Sequence, residues 1–339
     1  MSDVPIWITG SEVSELVDLE DAIEALEFGL ELEGRGEAKN VTKALGTWGE
    51  GERNSMHALG SMFPSKGYVG FKTWANTKAG SNAMFELFDS NTGSLLAIIE
   101  SGLLGQLRTS GISGLATRWM AKPDASEMAL IGTGRSALLQ VAAIAAVRPL
   151  KRLRVYSPTE ANRKAFVTNA ASLLAFDVVE AANLREATKG AEIVTVMTRA
   201  REPFFGAADL DTGAHLNAVG AILPKFGEFH QDVFERASLV VVDHIPNAKV
   251  ASFEFRQRYD GGGGSWDEVK ELSALIAAKT TRPAGADITL FKALGMGISD
   301  LSVAKMVYER ARAKGVGREV PKPTRVPARW RSGRKPATV

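Results

Sequence analysis

ALIGTGRSALLQ, residues 129–140, decides how the rest of the chain is read. An apolar run ends in Gly132 and Gly134, and Ala137 then opens a helical pattern, so G-x-G-x-x-A falls where a strand passes into a helix. Gly132 permits the tight turn, Gly134 lets backbone approach a pyrophosphate, Ala137 allows close helix packing, and the N–H groups at the helix start attract the anion. The strand, turn and helix context separates this motif from a chance glycine pair. Thr133, Arg135 and Ser136 complete a loop expected to hold a dinucleotide.

Outward from this loop, short apolar strands alternate with helical stretches: MALIG then RSALLQVAAIAAV, LRVYS then EANRKAFVTNAASLL, and after them DVVEA, EIVTVMT, HLNAVG and SLVVVD. That alternation predicts a parallel sheet with helices on both faces, an α/β doubly wound Rossmann domain over residues 123–305. At the end of its second strand an acidic residue would bind a ribose 2′-hydroxyl and repel a 2′-phosphate. Ser157 stands there instead, with Thr159 and Arg163 nearby to suit a phosphate, which favours NADP(H) and leaves NAD(H) open, since Glu160 is close by.

Residues 1–122 have a different rhythm. Apolar residues at helical spacing run through 13–38, and short strand-like runs follow, VTKAL, SMHAL, YVGFKTW, AMFELFD and SLLAIIES, divided by turn clusters such as DSNTG. This predicts an α+β domain of mostly antiparallel hairpins, completed by a helical segment at about 306–330. Within YVGFKTWANT, Lys72 is a cation among Val69, Phe71 and Trp74; it either snorkels to water or faces a pocket. The segment 318–339 is basic and proline-rich and is expected to be an extended tail.

With 339 residues, two cores are expected. The 41 Lys and Arg against 39 Asp and Glu give a formal charge of +2, which exerts no general pull on nucleic acid or anionic membrane, so neither is an expected partner. With no cysteine and four histidines, a thiolate nucleophile is excluded and no metal site is expected. No segment reads as a signal peptide or a membrane span, so a cytoplasmic protein acting on a small molecule is the expectation.

The motifs GFKTWANT, LFDSNTGSLLAIIES, LLGQLRTSGISGLAT, ALIGTGRSALLQ, HLNAVGA, SLVVVD and ITLFKALGMGISDL together resemble the ornithine cyclodeaminase and mu-crystallin family in order and spacing. The resemblance implies a substrate and dimerisation domain, a Rossmann domain and a homodimer. It implies that Lys72 and Arg108 hold the substrate carboxylate beside the reacting carbon, a role that a planar guanidinium and a compact ammonium suit. It also implies that Thr109 contacts the cofactor phosphates and that Thr198, Asn217, Val219, Gly220 and Gly295 lie toward the nicotinamide, at the strand ends where such ligands bind.

The sequence departs from the family pattern in two places. Cyclodeaminases of the family carry an aspartate two residues after the glycine of NAVG; here that residue is Ile222, which moves no proton. Upstream, where the family commonly adds an arginine to the carboxylate site, only Lys39 and Lys43 are available, with Lys43 the better placed. His57 is either a donor or acid of the substrate domain or a satisfied histidine. These readings favour an NAD(P)H-dependent reductase of an α-imino acid. The alternatives are an ammonia-releasing cyclodeaminase, an alanine dehydrogenase-like enzyme working between amino and keto acids, and a non-catalytic NADPH-binding protein.

Overall fold

The two rhythms become two sheets. The computed structural model describes residues 4–52 and 54–328. Its first sheet is built from β1 (Ile6–Ile8), β2 (Lys39–Asn40), β3 (Ala44–Trp48), β4 (Asn54–Phe63), β5 (Tyr68–Thr77), β6 (Gly80–Asp89), β7 (Leu95–Glu100) and, from the far end of the chain, β16 (Arg318–Glu319). The order is β16-β1-β7-β6-β5-β4-β2, with β3 also on β4. The hairpins β4–β5, β5–β6 and β6–β7 are antiparallel, as the turn clusters predict, whereas β1 lies parallel to β7.

Register fixes the direction in which Lys72 points. Leu59, Lys72, Phe85 and Ile99 lie side by side across β4, β5, β6 and β7, and all four are buried. Because side chains alternate along a strand, Phe71 turns to the other face, where it is 41% exposed. Lys72, 4% exposed, therefore belongs to the face covered by helices and does not snorkel to water.

The second sheet holds β8 (Glu127–Ile131), β9 (Arg152–Tyr156), β10 (Asp177–Glu180), β11 (Ile193–Val196), β12 (His215–Ala218), β13 (Ala237–Val242), β14 (Val269–Glu271) and β15 (Ile288–Lys292). All its pairings are parallel, in the order β10-β9-β8-β11-β12-β15-β13-β14. The first five positions follow the doubly wound nucleotide-binding order, which places the cofactor crevice at the carboxyl ends of β8 and β11.

The helices Leu19–Gly34, Ser101–Met120 and Gly297–Lys314 bury Leu26, Leu115 and Val303 in one core that also reaches Phe85 of the first sheet and Phe291 of the second. The first helices start on reciprocal caps, Thr9 with Glu12 and Asp18 with Asp21. Ser101–Met120 ends against Arg148, whose Nη2 donates to the carbonyls of Thr117, Arg118 and Ala121. The helix Gly297–Lys314 starts against β4: a Cβ on Gly297 would stand 2.1 Å from the Gly60 carbonyl oxygen, so only glycine permits the approach. Residues 320–328 are irregular, and the remainder of the expected tail, 329–339, lies outside the described residues. No helix among the described residues is long and apolar enough to cross a membrane.

Candidate active site

The glycine loop supplies a cradle at the carboxyl end of β8. Gly132 has φ +110, and a Cβ there would meet the Met197 carbonyl oxygen at 2.5 Å. Gly134 has nothing within 4 Å of its Cβ direction, leaving its backbone open to an approaching phosphate. Ala137 is buried at the head of the helix Ala137–Ala145, Thr133 and Ser136 are half-buried, and Arg135 is exposed. These residues fit a dinucleotide pyrophosphate.

At the end of β9 the geometry narrows the sequence reading. Arg163 is buried; its Nη1 donates to the Ser157 carbonyl at 2.6 Å and its Nε to Glu180 Oε1 at 2.8 Å. Its guanidinium is thus committed to holding the turn, and the cation expected for a 2′-phosphate is not free there. Thr159 is exposed at the start of the helix Glu160–Leu173, with no side-chain cap bond.

Asn217 also departs from expectation. It is fully buried in β12, donates to Thr117 Oγ1 at 3.0 Å and lies 3.2 Å from His215 Nε2, so its polar groups face inward and not toward a ligand. Thr109 donates its hydroxyl to Gly105 O and accepts from Gln140 through its carbonyl, tying Ser101–Met120 to the helix that follows the glycine loop.

The loops after β11 and β12 are held from beneath by a residue the sequence reading passed over. Glu228 Oε1 accepts from the N–H and hydroxyl of Thr198, at 2.6 and 2.9 Å, and Oε2 accepts from the N–H groups of Gly220 and Ala221, at 2.8 and 2.9 Å. Beside it lies Lys292, fully buried, 4.0 Å from Glu228 and 3.5 Å from Glu254. Burial raises the Glu228 carboxyl from its ordinary value, and Lys292 opposes that rise. Val219 is half-buried in the same loop, and Ile222 is 46% exposed beyond it.

Gly295 connects this side to the substrate side. Its N–H donates to Asp243 Oδ2 at 2.6 Å, its φ is +88, and a Cβ would stand 3.2 Å from Arg108 Nη1. Arg108 projects from Ser101–Met120 and donates through Nε to Asp300 Oδ1 at 3.1 Å. The same oxygen accepts from Lys72 Nζ at 2.6 Å. Lys72 and Arg108 are therefore brought together, by an aspartate that the sequence reading left without a role. Asp300 lies on the stripe continued by Ala304, Val307 and Ala311, where a carboxylate without a partner would be costly; that conflict was its signal.

Trp74 organises the outer wall. Lys72 Nζ is 5.0 Å and Lys43 Nζ 5.8 Å from its ring centroid, while His57 stacks on it at 4.4 Å and 5° between planes. His57 Nε2 lies 2.9 Å from Ser55 Oγ. A cavity of about 530 Å³ opens on the opposite face of the sheet, the one Phe71 points to, lined by Met56, Ala58, Thr73, Ala75 and Met84 among others. Lys39 is in β2, paired with Met62. Burial, then Arg108, lowers the Lys72 ammonium to about 8 against the opposing pull of Asp300; burial, then Lys43 and Lys72, pushes His57 down to about 4. Lys72 and Arg108 share the Asp300 carboxylate, Lys43 lies near both, and Asp243 also feels the charge of Arg108, so three cations gather here around two buried carboxylates.

A Rossmann sheet, a glycine cradle and a cationic pocket define a nucleotide-dependent enzyme for small acids. The chain belongs to the ornithine cyclodeaminase/mu-crystallin family, whose model matches residues 4–315. It is 32% identical over 271 residues to a Δ1-pyrroline-2-carboxylate reductase of Bacillus cereus, covering 78% of this chain and 81% of that one. Among solved structures, Δ1-pyrroline-2-carboxylate reductase of Thermococcus litoralis in complex with NADH and L-proline superposes with a TM-score of 0.86 at 26% identity, covering 93% of this chain and 100% of the other. An archaeal alanine dehydrogenase dimer with bound NAD gives 0.85 at 26%, covering 94% and 99%.

Proposed function

We propose that this protein is an NAD(P)H-dependent oxidoreductase that reduces the C=N bond of an α-imino acid, a cyclic ketimine or the imine of a 2-oxo acid. The observation that carries the reading is the convergence of Lys72 and Arg108 on Asp300 beside Gly295, with surplus positive charge where a carboxylate would bind. The Δ1-pyrroline-2-carboxylate reductases among its relatives support it. Residues 132–137, with Thr198, Val219 and Gly220, would hold a nicotinamide dinucleotide, which supplies the hydride when bound. Arg108 offers its outer edge to the carboxylate, Lys72 a second cation, and Lys43 a third at the mouth. Fixing the acid in this way supplies orientation, which is worth roughly 7–11 kcal/mol when reacting atoms are held in near-attack geometry.

NADP(H) is the favoured nucleotide. With Arg163 turned inward, the support for this is Ser157, exposed Thr159 and exposed Arg135, and the absence of a carboxylate at position 157. The working unit is a homodimer: Leu45, Trp48, Met56 and Phe71 leave apolar side chains exposed on β3, β4 and β5, and the related archaeal dehydrogenase is a dimer.

The test is to mix the protein with NADPH or NADH and a panel of cyclic ketimines, or 2-oxo acids with ammonia or methylamine, and follow loss of reduced nicotinamide. Turnover faster with NADPH is expected. Tight nucleotide binding without oxidation of it by any imine precursor would overturn the reading. Proline and ammonia appearing from ornithine would instead restore cyclodeamination, which Ile222 opposes, and NAD⁺-dependent oxidation of alanine would favour the dehydrogenase reading.

A further inference from the structure

Asp300 is 0% exposed, and its second oxygen, Oδ2, is buried without a hydrogen-bond partner among the described residues. A carboxylate removed from water in this way is strongly unfavourable unless cations face it. The two that do, Lys72 from β5 and Arg108 from Ser101–Met120, share its other oxygen. We infer that Asp300 is the positioning residue of imine reduction: through Oδ1 it keeps Lys72 charged and aimed as the proton donor to the imine nitrogen, and turns the outer edge of Arg108 to the substrate carboxylate. This inference rests on the reductase reading above.

Three observations lead here. Arg108 spends Nε on Asp300, and its Nη1 and Nη2 make no hydrogen bond among the described residues, which is the edge suited to bidentate capture of a carboxylate. Ile222 stands where the family's proton-carrying aspartate would be and has no proton to give, and His57, pushed down to about 4 by burial and by Lys43 and Lys72, stacks on Trp74 with its Nε2 beside Ser55 Oγ, which leaves Lys72 the better donor. The pocket's cations also disfavour a protonated iminium, so a neutral imine needs a proton from the protein.

The step balances. Hydride forms the new C–H bond, the π pair of C=N passes to nitrogen, and that nitrogen takes H⁺ from Lys72 Nζ as an Nζ–H bond breaks, leaving a neutral lysine that water reprotonates. The charged or titratable groups facing Lys72 are Asp300 from Gly297–Lys314, Arg108, Lys43 beside β3, and His57 of β4, with the Trp74 ring on its own strand. Of these, Asp300 alone holds the ammonium in its charged form.

The experiment uses the full chain and its Asp300→Asn variant, measuring kcat and KM for an imine, nucleotide affinity and the pH profile. In the wild type, kcat/KM is expected to fall as pH rises through about 8, where Lys72 loses its proton. In Asp300→Asn the alkaline limb should move down by about one pH unit, with kcat/KM at neutral pH reduced roughly 10²-fold and NADPH affinity within about two-fold. An unmoved limb in a variant that folds and binds NADPH overturns the role of Asp300, whereas no wild-type turnover strikes the reductase reading itself. If Asp300→Asn does not fold, Lys72→Ala decides: with Asp300 still present to hold an added cation, methylammonium should restore activity saturably. Failure of every small primary ammonium ion to do so overturns the inference.

Discussion

Lys72 and Lys292 look alike in the sequence, each a cation inside an apolar strand, and both are buried, but the charges around them are arranged in opposite ways. Lys72 shares one aspartate with Arg108 and has Lys43 nearby, so the cluster carries surplus positive charge. Lys292 faces two carboxylates, Glu228 and Glu254, whose oxygens already accept backbone and hydroxyl donors. A site that must receive an anion is left with surplus positive charge, whereas around Lys292 two carboxylates outnumber one cation and spend their oxygens on the loops they hold in place. The difference between the two lysines is therefore a difference in what their partners lack.

Removing each cation breaks the comparison most directly. Lys72→Ala should lower kcat/KM by about 10³-fold, about 4 kcal/mol of transition-state stabilisation, with NADPH affinity and folding nearly unchanged. Steady-state kinetics beside a fluorescence titration of NADPH would read both, and equal losses in the two would contradict an anion-site role. Lys292→Met should do the reverse, costing about 3–5 kcal/mol of stability because two buried carboxylates lose their counter-charge. Denaturant unfolding measures that cost. Little destabilisation from Lys292→Met would mean that the hydrogen bonds to Glu228 suffice without the lysine.

How much of this was legible in the sequence follows from the same contrast. Lys72 could be found because a charge breaks the apolar row of a strand, and Asp300 carried the same kind of signal on a helix stripe. Glu228 carried none. It lies in an irregular loop between Gly227 and Phe229, and apart from the Thr198 hydroxyl the hydrogen bonds that define it come from backbone N–H groups, which leave no mark on residue type. Arg163 and Asn217 were placed on the right elements, but sequence does not record whether a donor is already consumed by a buried neighbour. The alternating rhythm likewise implied parallel strands without their order, since β15, the last strand of this sheet along the chain, lies between β12 and β13.

A smaller effect sharpens the loop side. Glu228→Gln keeps the shape but weakens acceptance from the Thr198, Gly220 and Ala221 N–H groups, and it leaves Lys292 with Glu254 alone. NADPH binding should weaken by about ten-fold, about 1.4 kcal/mol, while the KM of the imine at saturating NADPH stays within about two-fold. A change confined to imine KM would place the loops on the substrate side.

Glu33 adds a case that neither lysine offers, a half-buried carboxyl with no cation among the groups that shift it. Its Oε1 accepts from Asn40 Nδ2 at 2.7 Å, and Asn40 Oδ1 in turn accepts the Ile298 N–H at the start of Gly297–Lys314. Burial, then the charge of Glu271, raises its pKa from an ordinary 4.5 to about 8. The unfolded chain ionises at the ordinary value while the folded one holds its proton to about 8, so the contribution to stability is full below 4.5 and is lost as pH rises through that window. Glu33→Gln, which cannot ionise, should therefore be near neutral at about pH 5 and stabilising by about 1 kcal/mol at about pH 8.5, discounted for partial exposure. Equal shifts in the unfolding midpoint at the two pH values would mean that Glu33 is already ionised in the fold, and that this carboxylate has found the counter-charge that distinguishes Lys292's surroundings from its own.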